Sequence, residues 1–319
     1  MVSRNGGPDV LQVVQRDAPR PGPGELLVDV AAAGVNFMDI YQREGRPPYD
    51  GPPPFVPGAE GAGTVAAVGA DAGDVSVGDR VAWAGLSSGY AEQVVVPADR
   101  VVPVPDGVDL LVAAAVMLQG MTAHYLATST YPVAAWDVTV VHAAAGGVGL
   151  LLTQIVKMRG GVVVATTSTA DKAELARQAG ADHVAGYDTF AGVARDASGG
   201  AGAAVVYDGV GASTFDDGLT ALRPRGHMVL YGAASGQPPP LDLRRLASAG
   251  SLYVTRPTLV HYIASRDELR WRAGDLFDWI GGGRLSVRIG GTYPLEEAAR
   301  AQDDLASRRT SGKLLLLPG

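Results

Sequence analysis

Apolar and polar positions follow one rhythm in the first third of the chain and another in its middle. Up to about Ala113 the apolar residues come in short runs. Glu25–Ala33 alternates and is rich in β-branched residues, and Gly63–Val68, Arg80–Trp83, Tyr90–Val96 and Arg100–Val104 are each bounded by Gly or Pro. Short strands so punctuated predict a compact antiparallel barrel. The opening is abrupt: Asn5-Gly-Gly-Pro8 is already a turn, so a first strand is expected to be missing or very short. From Leu111 to Ala127 the spacing becomes helical, and after Trp136 strands and helices alternate. Strands are expected at Val138–Val141, Val162–Thr166, His183–Ala185, Val205–Tyr207, Met228–Tyr231 and Leu252–Thr255. Helices are expected at Leu150–Met158, Asp171–Gln178, Thr214–Leu222 and Leu243–Ala249. This alternation predicts a parallel, doubly wound sheet. Past Pro257, Ser265-Arg-Asp-Glu268 is a capping box opening an amphipathic helix with Leu269, Leu276, Trp279 and Ile280, which ends at Gly281-Gly-Gly283. Strand Leu285–Ile289, helix Leu295–Leu305 and strand Leu314–Leu317 then form a tail expected to return to the N-terminal barrel.

The most informative stretch is Val138-Thr-Val-Val-His-Ala-Ala-Ala-Gly-Gly-Val-Gly-Leu150, an apolar strand running through a glycine turn into a helix. Ala144-x-Gly146-x-x-Gly149 is the dinucleotide fingerprint with its first glycine replaced by alanine. Gly146 lets the backbone approach phosphates, Gly149 lets the helix lie close on the strand, and the N–H groups of Gly147, Val148 and Gly149 open the helix toward an anion. Alone the match would be an ordinary Gly-rich turn; strand, turn, helix and next strand in order raise it to a nucleotide site. The second strand ends in Ala165-Thr-Thr-Ser-Thr-Ala-Asp-Lys172, with no acid where an NAD site places one for the ribose 2′-hydroxyl. Hydroxyls of Thr167 and Ser168 and the Lys172 ammonium suit a 2′-phosphate, so NADPH is favoured over NADH. The alternative is a solvated Lys172 with Asp171 as the relevant acid.

Composition narrows the classes. A length of 319 residues fits two ordinary domains or one large α/β unit, and 47% hydrophobic residues with 18% charged ones supply sizeable cores. Cysteine is absent, which removes disulfides, thiol nucleophiles and cysteine-ligated zinc. No run is expected to approach the roughly twenty apolar residues of a membrane helix. A net charge of −7 speaks against nucleic acid as a partner, and a soluble cytoplasmic protein is expected. The five histidines, 124, 142, 183, 227 and 261, show no ligand spacing. His142 is expected to pack, not to catalyse.

Several motifs in combination resemble one family. They are Gly6-Gly-Pro-Asp-Val-Leu11, Gly34-Val-Asn-Phe-Met-Asp-Ile-Tyr41, Pro57-Gly-Ala-Glu-Gly-Ala-Gly-Thr-Val65, Gly78-Asp-Arg-Val81, His142–Leu150, Val206-Tyr-Asp-Gly-Val-Gly211 and Gly250-Ser-Leu-Tyr-Val-Thr-Arg-Pro257. Over nearly its whole length the chain resembles the zinc-free quinone oxidoreductases (zeta-crystallin-like) of the medium-chain dehydrogenase/reductase superfamily, bacterial NADPH:quinone oxidoreductases in particular. The resemblance implies an α/β protein with a GroES-like β-barrel catalytic domain (residues 1–119 and 258–319), a Rossmann domain (120–257) and a cleft where they meet. It also implies that the shortened start trims the first barrel strand. Zinc-dependent relatives carry a cysteine where Asn36 stands and a His-Glu pair at Ala59-Glu60, so no metal is expected. By resemblance Asn36 and Thr122 line the nicotinamide end, Tyr41 the acceptor pocket and Tyr231 the nicotinamide ribose, while Tyr187 and Arg308 join Lys172 around the 2′-phosphate. At Ala233-Ala234 the polar side chains of the family are missing.

The resemblance implies hydride transfer to a small-molecule quinone, with an enone (an enoyl reductase, as in polyketide tailoring) or a non-catalytic NADPH-binding role as alternatives. Relatives dimerise through the last Rossmann strand, so a homodimer is expected. The proline-rich segment 47–54 is read as a substrate-facing lid or a rigid connector.

Overall fold

The computed structural model describes every residue except Pro48 and Asp50, so the proline-rich segment lies partly outside the described residues. The chain divides into two compact units, residues 1–121 with 262–319, and residues 122–261. The elements begin with β1 (Glu25–Val35), α1 (Phe37–Glu44), β2 (Glu60–Val68), β3 (Arg80–Ala84), β4 (Gln93–Pro97), β5 (Val101–Pro103) and α2 (Leu110–Tyr125). They continue with β6 (Val138–Val141), α3 (Gly147–Met158), β7 (Val162–Thr166), α4 (Ala170–Gln178), β8 (His183–Ala185), α5 (Phe190–Ala197) and β9 (Ala203–Asp208). Next come α6 (Phe215–Ala221), β10 (Leu222–Leu230), α7 (Arg244–Ser248) and β11 (Tyr253–Thr255). The last are α8 (Leu259–Tyr262), α9 (Arg266–Gly281), β12 (Ile289–Pro294), α10 (Ala298–Ala306) and β13 (Lys313–Leu317).

In the first unit the sheet runs β12-β13-β1-β2-β3-β5, with β4 also on β1. Strand β1 serves three partners: β2 antiparallel along its length, β4 at residues 25–29 and β13 at residues 33–35. Register shifts at Leu27/Val28 and Val30/Ala32 mark bulges, which bend a strand and let one long element serve several neighbours. Leu26, Val28, Val65, Trp83, Leu314 and Leu316 close the core over that strand. The tail departs from expectation. Alternation at Leu285–Ile289 reads as a strand, yet the ladder to β13 forms over Ile289–Pro294 instead, where the partner strand is in reach. Helices α1, α5 and α8 are additions to the expected elements.

In the second unit six parallel strands lie in the order β8-β7-β6-β9-β10-β11. Counted within this unit the order is 3-2-1-4-5-6, the doubly wound arrangement whose strand order reverses between β6 and β9. Val140, Val164, Phe190, Val206 and Met228 fill its core. Such sheets take ligands outside the carboxyl ends of the two strands at the reversal, here His142 onward and Asp208 onward.

One expectation about membranes is corrected. Helix α2 continues through a π turn at Leu126–Thr130, so Leu110–Thr130 is a 21-residue helix of mean hydropathy 1.5, long and apolar enough to span a bilayer. Its apolar window is 78% buried within the fold, as a core helix that is hydrophobic all round should be.

Candidate functional site

In the second unit the glycine turn is built as a cradle. Gly146, in extended conformation, precedes α3, with no side chain capping the helix and no acid in its first turn. The N–H dipoles there are open to an anion. A Cβ on Gly149 would lie 2.5 Å from the Ala143 carbonyl oxygen and 2.7 Å from Ala144 Cα, so only glycine lets α3 lie against the turn. A Cβ on Gly146 would meet the protein only at the Ala143 oxygen, 3.1 Å away. Ala143 takes the left-handed φ of 50°, and Ala144, where the fingerprint has glycine, does not adopt a positive φ.

Around the cradle the carboxyl ends of the strands gather several expected residues. Buried Asp208 ties the neighbouring turn. Its Oδ1 accepts from the Val210 and Gly211 N–H groups (2.7 and 2.9 Å) and its Oδ2 from the Thr214 hydroxyl (2.8 Å), while burial pushes its pKa up. The Tyr231 N–H donates to the Asp208 carbonyl (2.9 Å) and the Tyr231 ring lies over Gly209, where a Cβ would come within 2.9 Å. Burial, with Asp208 and Tyr187 nearby, holds the Tyr231 phenol well above its usual pKa. Tyr187 stacks on His142, centroids 5.9 Å apart, and Phe190 meets the other side of the imidazole edge-on at 4.6 Å. His142 Nδ1 pairs with Thr166 Oγ1 (2.9 Å), Nε2 has no partner, and burial drives the pKa to about 3. A neutral imidazole packed on two rings does structural work.

Thr167 and Ser168 follow β7 directly, and Thr169 caps α4 by accepting from the Lys172 N–H (3.3 Å). The half-buried Lys172 thus stands one turn into α4, close in sequence to both hydroxyls; Asp171 is exposed in that first turn. Thr122 is buried in α2. Arg308 belongs to the first unit, exposed after α10 with a left-handed φ of 58°.

The first unit holds what the sequence reading missed. Asn36 ends β1 and caps α1, its N–H donating to Asp39 Oδ2 (2.8 Å). Its carboxamide faces two charges. Nδ2 donates to Glu60 Oε1 (2.8 Å), and Oδ1 accepts from Lys313 Nζ (2.8 Å). The ammonium also donates to the Val35 carbonyl (3.2 Å) and closely to Glu60 Oε1, while Glu60 Oε2 accepts from the Leu118 N–H (2.6 Å). All three side chains are buried, Glu60 and Lys313 at 0% and 1% exposure. Nearby, burial raises Asp39 to about 6 although it accepts from the Tyr90 hydroxyl (3.0 Å). Tyr41 is half-buried between Phe37 and Tyr49, with the Arg46 guanidinium 5.8 Å from its ring. A trace of the cluster is in the sequence: Glu60 lies in a strand of small residues and Lys313 abuts four leucines, and a buried charge needs a partner.

Residues 22–106 match the alcohol dehydrogenase GroES-like domain and residues 147–276 the zinc-binding dehydrogenase family. A quinone oxidoreductase of Pseudomonas aeruginosa is 43% identical over 317 residues, 98% of this chain and 97% of that protein. The chain belongs to the quinone oxidoreductase family of the medium-chain dehydrogenases/reductases. A 2-haloacrylate reductase from a Burkholderia species is 40% identical, covering 100% of this chain and 98% of its own length. A mycobacterial protein solved in complex with NADPH is 50% identical with a TM-score of 0.95, covering 99% of this chain and 98% of that one. One of the matched domain families is described as zinc-binding, and this family member's donor set does not fit zinc. Asn36 offers a neutral amide, Ala59 a methyl group, and the Glu60 carboxylate is already paired with a buried ammonium. Among the described residues no group of three or more His, Cys, Asp or Glu could hold a metal ion.

Proposed function

We propose that this protein is a zinc-independent NADPH:quinone oxidoreductase. The observation that carries the reading is the uncapped glycine cradle of α3 at the point where the parallel sheet reverses, in a chain of this family. NADPH, when bound, supplies a hydride at its nicotinamide ring. The protein's contribution is binding, alignment and exclusion of water, since a quinone accepts hydride without Lewis-acid help. Gly146, Gly147, Val148 and Gly149 are assigned to the pyrophosphate, and Thr167, Ser168, Lys172, Tyr187 and Arg308 to the 2′-phosphate. Tyr231 is assigned to the nicotinamide ribose, and Asn36 and Thr122 to the nicotinamide end. Tyr41 is assigned to the acceptor, and the reduced oxygen takes its proton from solvent or from a nearby hydroxyl such as that of Tyr41.

A spectrophotometric screen of NADPH consumption against quinones and conjugated enones tests the reading. Quinones should be the faster substrates. Turnover of enones alone would favour the enoyl-reductase alternative, which the similarity to a 2-haloacrylate reductase supports because haloacrylate is itself a conjugated alkene. Cofactor binding without turnover of either class would leave a non-catalytic role.

Lys172→Ala should raise the KM for NADPH by about ten- to a hundredfold, the worth of one charge-assisted hydrogen bond, with NADH use little changed. An equal effect on both cofactors would remove the 2′-phosphate assignment.

A homodimer belongs to the same reading. Strand β11 ends the sheet, paired to β10 alone, and exposes Tyr253 (54%) and Val254 (36%). An apolar edge invites a second copy related by a twofold axis, and sedimentation of a monomer at working concentration would refute it. A cytoplasmic location completes the proposal, to be checked by cell fractionation.

A further inference from the structure

The buried triad of Asn36, Glu60 and Lys313 contains more than a stabilising ion pair. Lys313 comes from the last strand, Glu60 from β2 and Asn36 from the end of β1, so three distant pieces of sequence meet at one amide. An ammonium has three hydrogens, and all three are used, on the Val35 carbonyl, Asn36 Oδ1 and Glu60 Oε1. The carboxylate is equally committed, one oxygen to the ammonium and Asn36 Nδ2, the other to the Leu118 N–H. Shape alone hardly distinguishes the two ends of a carboxamide, so ordinary sites leave its orientation open. Here charge decides it. Turning the Asn36 amide over would set an NH2 group against the ammonium and a carbonyl oxygen against the carboxylate, at the same short distances and without water to screen either.

The strand is shaped for this. Gly34, two residues before Asn36, has no room for a Cβ, which would fall 2.6 Å from both Glu60 Cδ and Lys313 Cε. At Asn36 and Glu60, where the resemblance puts a zinc-dependent relative's cysteine and glutamate, this chain has a cluster with its own fixed cation.

We propose that Lys313 is a positioning residue, whose ammonium, with Glu60 opposite, locks the Asn36 carboxamide in one orientation for hydride transfer. The inference rests on the assignment of Asn36 to the nicotinamide end. Its role is distinct from stability, and a charge-neutral pair of substitutions separates the two. In Lys313→Met with Glu60→Gln no lone charge is left buried, and the glutamine amide can pair with Asn36 in either orientation. The double variant should keep its Tm within a few degrees and its KM for NADPH within about twofold, while kcat falls about tenfold or more, as misalignment of a reacting group does. Its neutron structure, which locates the amide deuterons, should show the Asn36 amide turned or in two orientations.

Wild-type kcat in that variant would overturn the proposal. If the variant fails to fold, the wild type supplies the readout. The side-chain NH2 hydrogens of Asn36, held on the Glu60 carboxylate and buried, should exchange slowly with solvent, and exchange as fast as that of a free carboxamide would equally overturn it. Absence of quinone or enone turnover by the wild type would instead remove the functional reading, while these N–H signals would still report whether the amide is locked.

Discussion

Gly149→Ala is expected to weaken NADPH binding by about a hundredfold or more and to lower Tm by several degrees, whereas Gly146→Ala should weaken binding with Tm almost unmoved. The two glycines sit three residues apart but face different things. A methyl on Gly149 runs into the backbone of its own turn, at the Ala143 oxygen and the Ala144 Cα and carbonyl carbon, and backbone cannot rotate aside as a side chain can. Helix α3 must back away from β6. Such overpacking costs about 1–3 kcal/mol of stability. It also pulls the first-turn N–H groups out of line with the phosphates; losing two charge-assisted hydrogen bonds of about 1.5–3 kcal/mol each accounts for the affinity. A methyl on Gly146 meets only one protein atom at 3.1 Å, so the free protein tolerates it and the clash arises with the nucleotide. Thermal melts and cofactor titrations on both variants check this. A stable Gly149→Ala protein with wild-type affinity would remove the cradle from the binding site.

The parts of this architecture that depend on neighbours in sequence were readable; those that depend on distant partners were not. The strand–turn–helix around His142 to Leu150 and the alternation after Trp136 are local signals, and the six-stranded parallel sheet follows them closely. The Ser265 cap is local too, and the structure shows its hydroxyl accepting from the Glu268 N–H (3.2 Å). Strand β12 was misplaced because its register is set by β13, more than twenty residues on. Helix α1 was overlooked although Asn36 and Asp39 have capping spacing, since its eight residues make little more than two turns before a proline-rich segment. Helix α2 was underestimated because glycine, glutamine and threonine break the run in sequence while the fold buries them with the rest. The charge cluster left only a trace in the sequence, for the strongest reason. Lys313 and Glu60 are 253 residues apart, and a lone lysine before an apolar tail reads as a solvated end until the pairing of β13 with β1 takes it inside.

That cluster underlies the second large effect. Gly34→Ala should destabilise the protein by about 3 kcal/mol or more, although it adds a single methyl group to a strand that already contains Ala31, Ala32 and Ala33. The methyl lands among the Glu60 carboxylate and the Lys313 stem. Flexible side-chain ends usually yield, but these two are fully buried and hold each other, Asn36, Val35 and Leu118. To make room, one charge must leave its partner, and separating a buried pair costs about 3–5 kcal/mol because each ion is left without compensation. The two perturbations should not add. In a Glu60→Ala, Lys313→Ala background the obstructing groups are gone, and Gly34→Ala should then cost less than about 1 kcal/mol, a coupling that a double-mutant cycle on chemical denaturation resolves. Equal costs in both backgrounds would mean that the methyl is resisted by the strand itself and not by the ions.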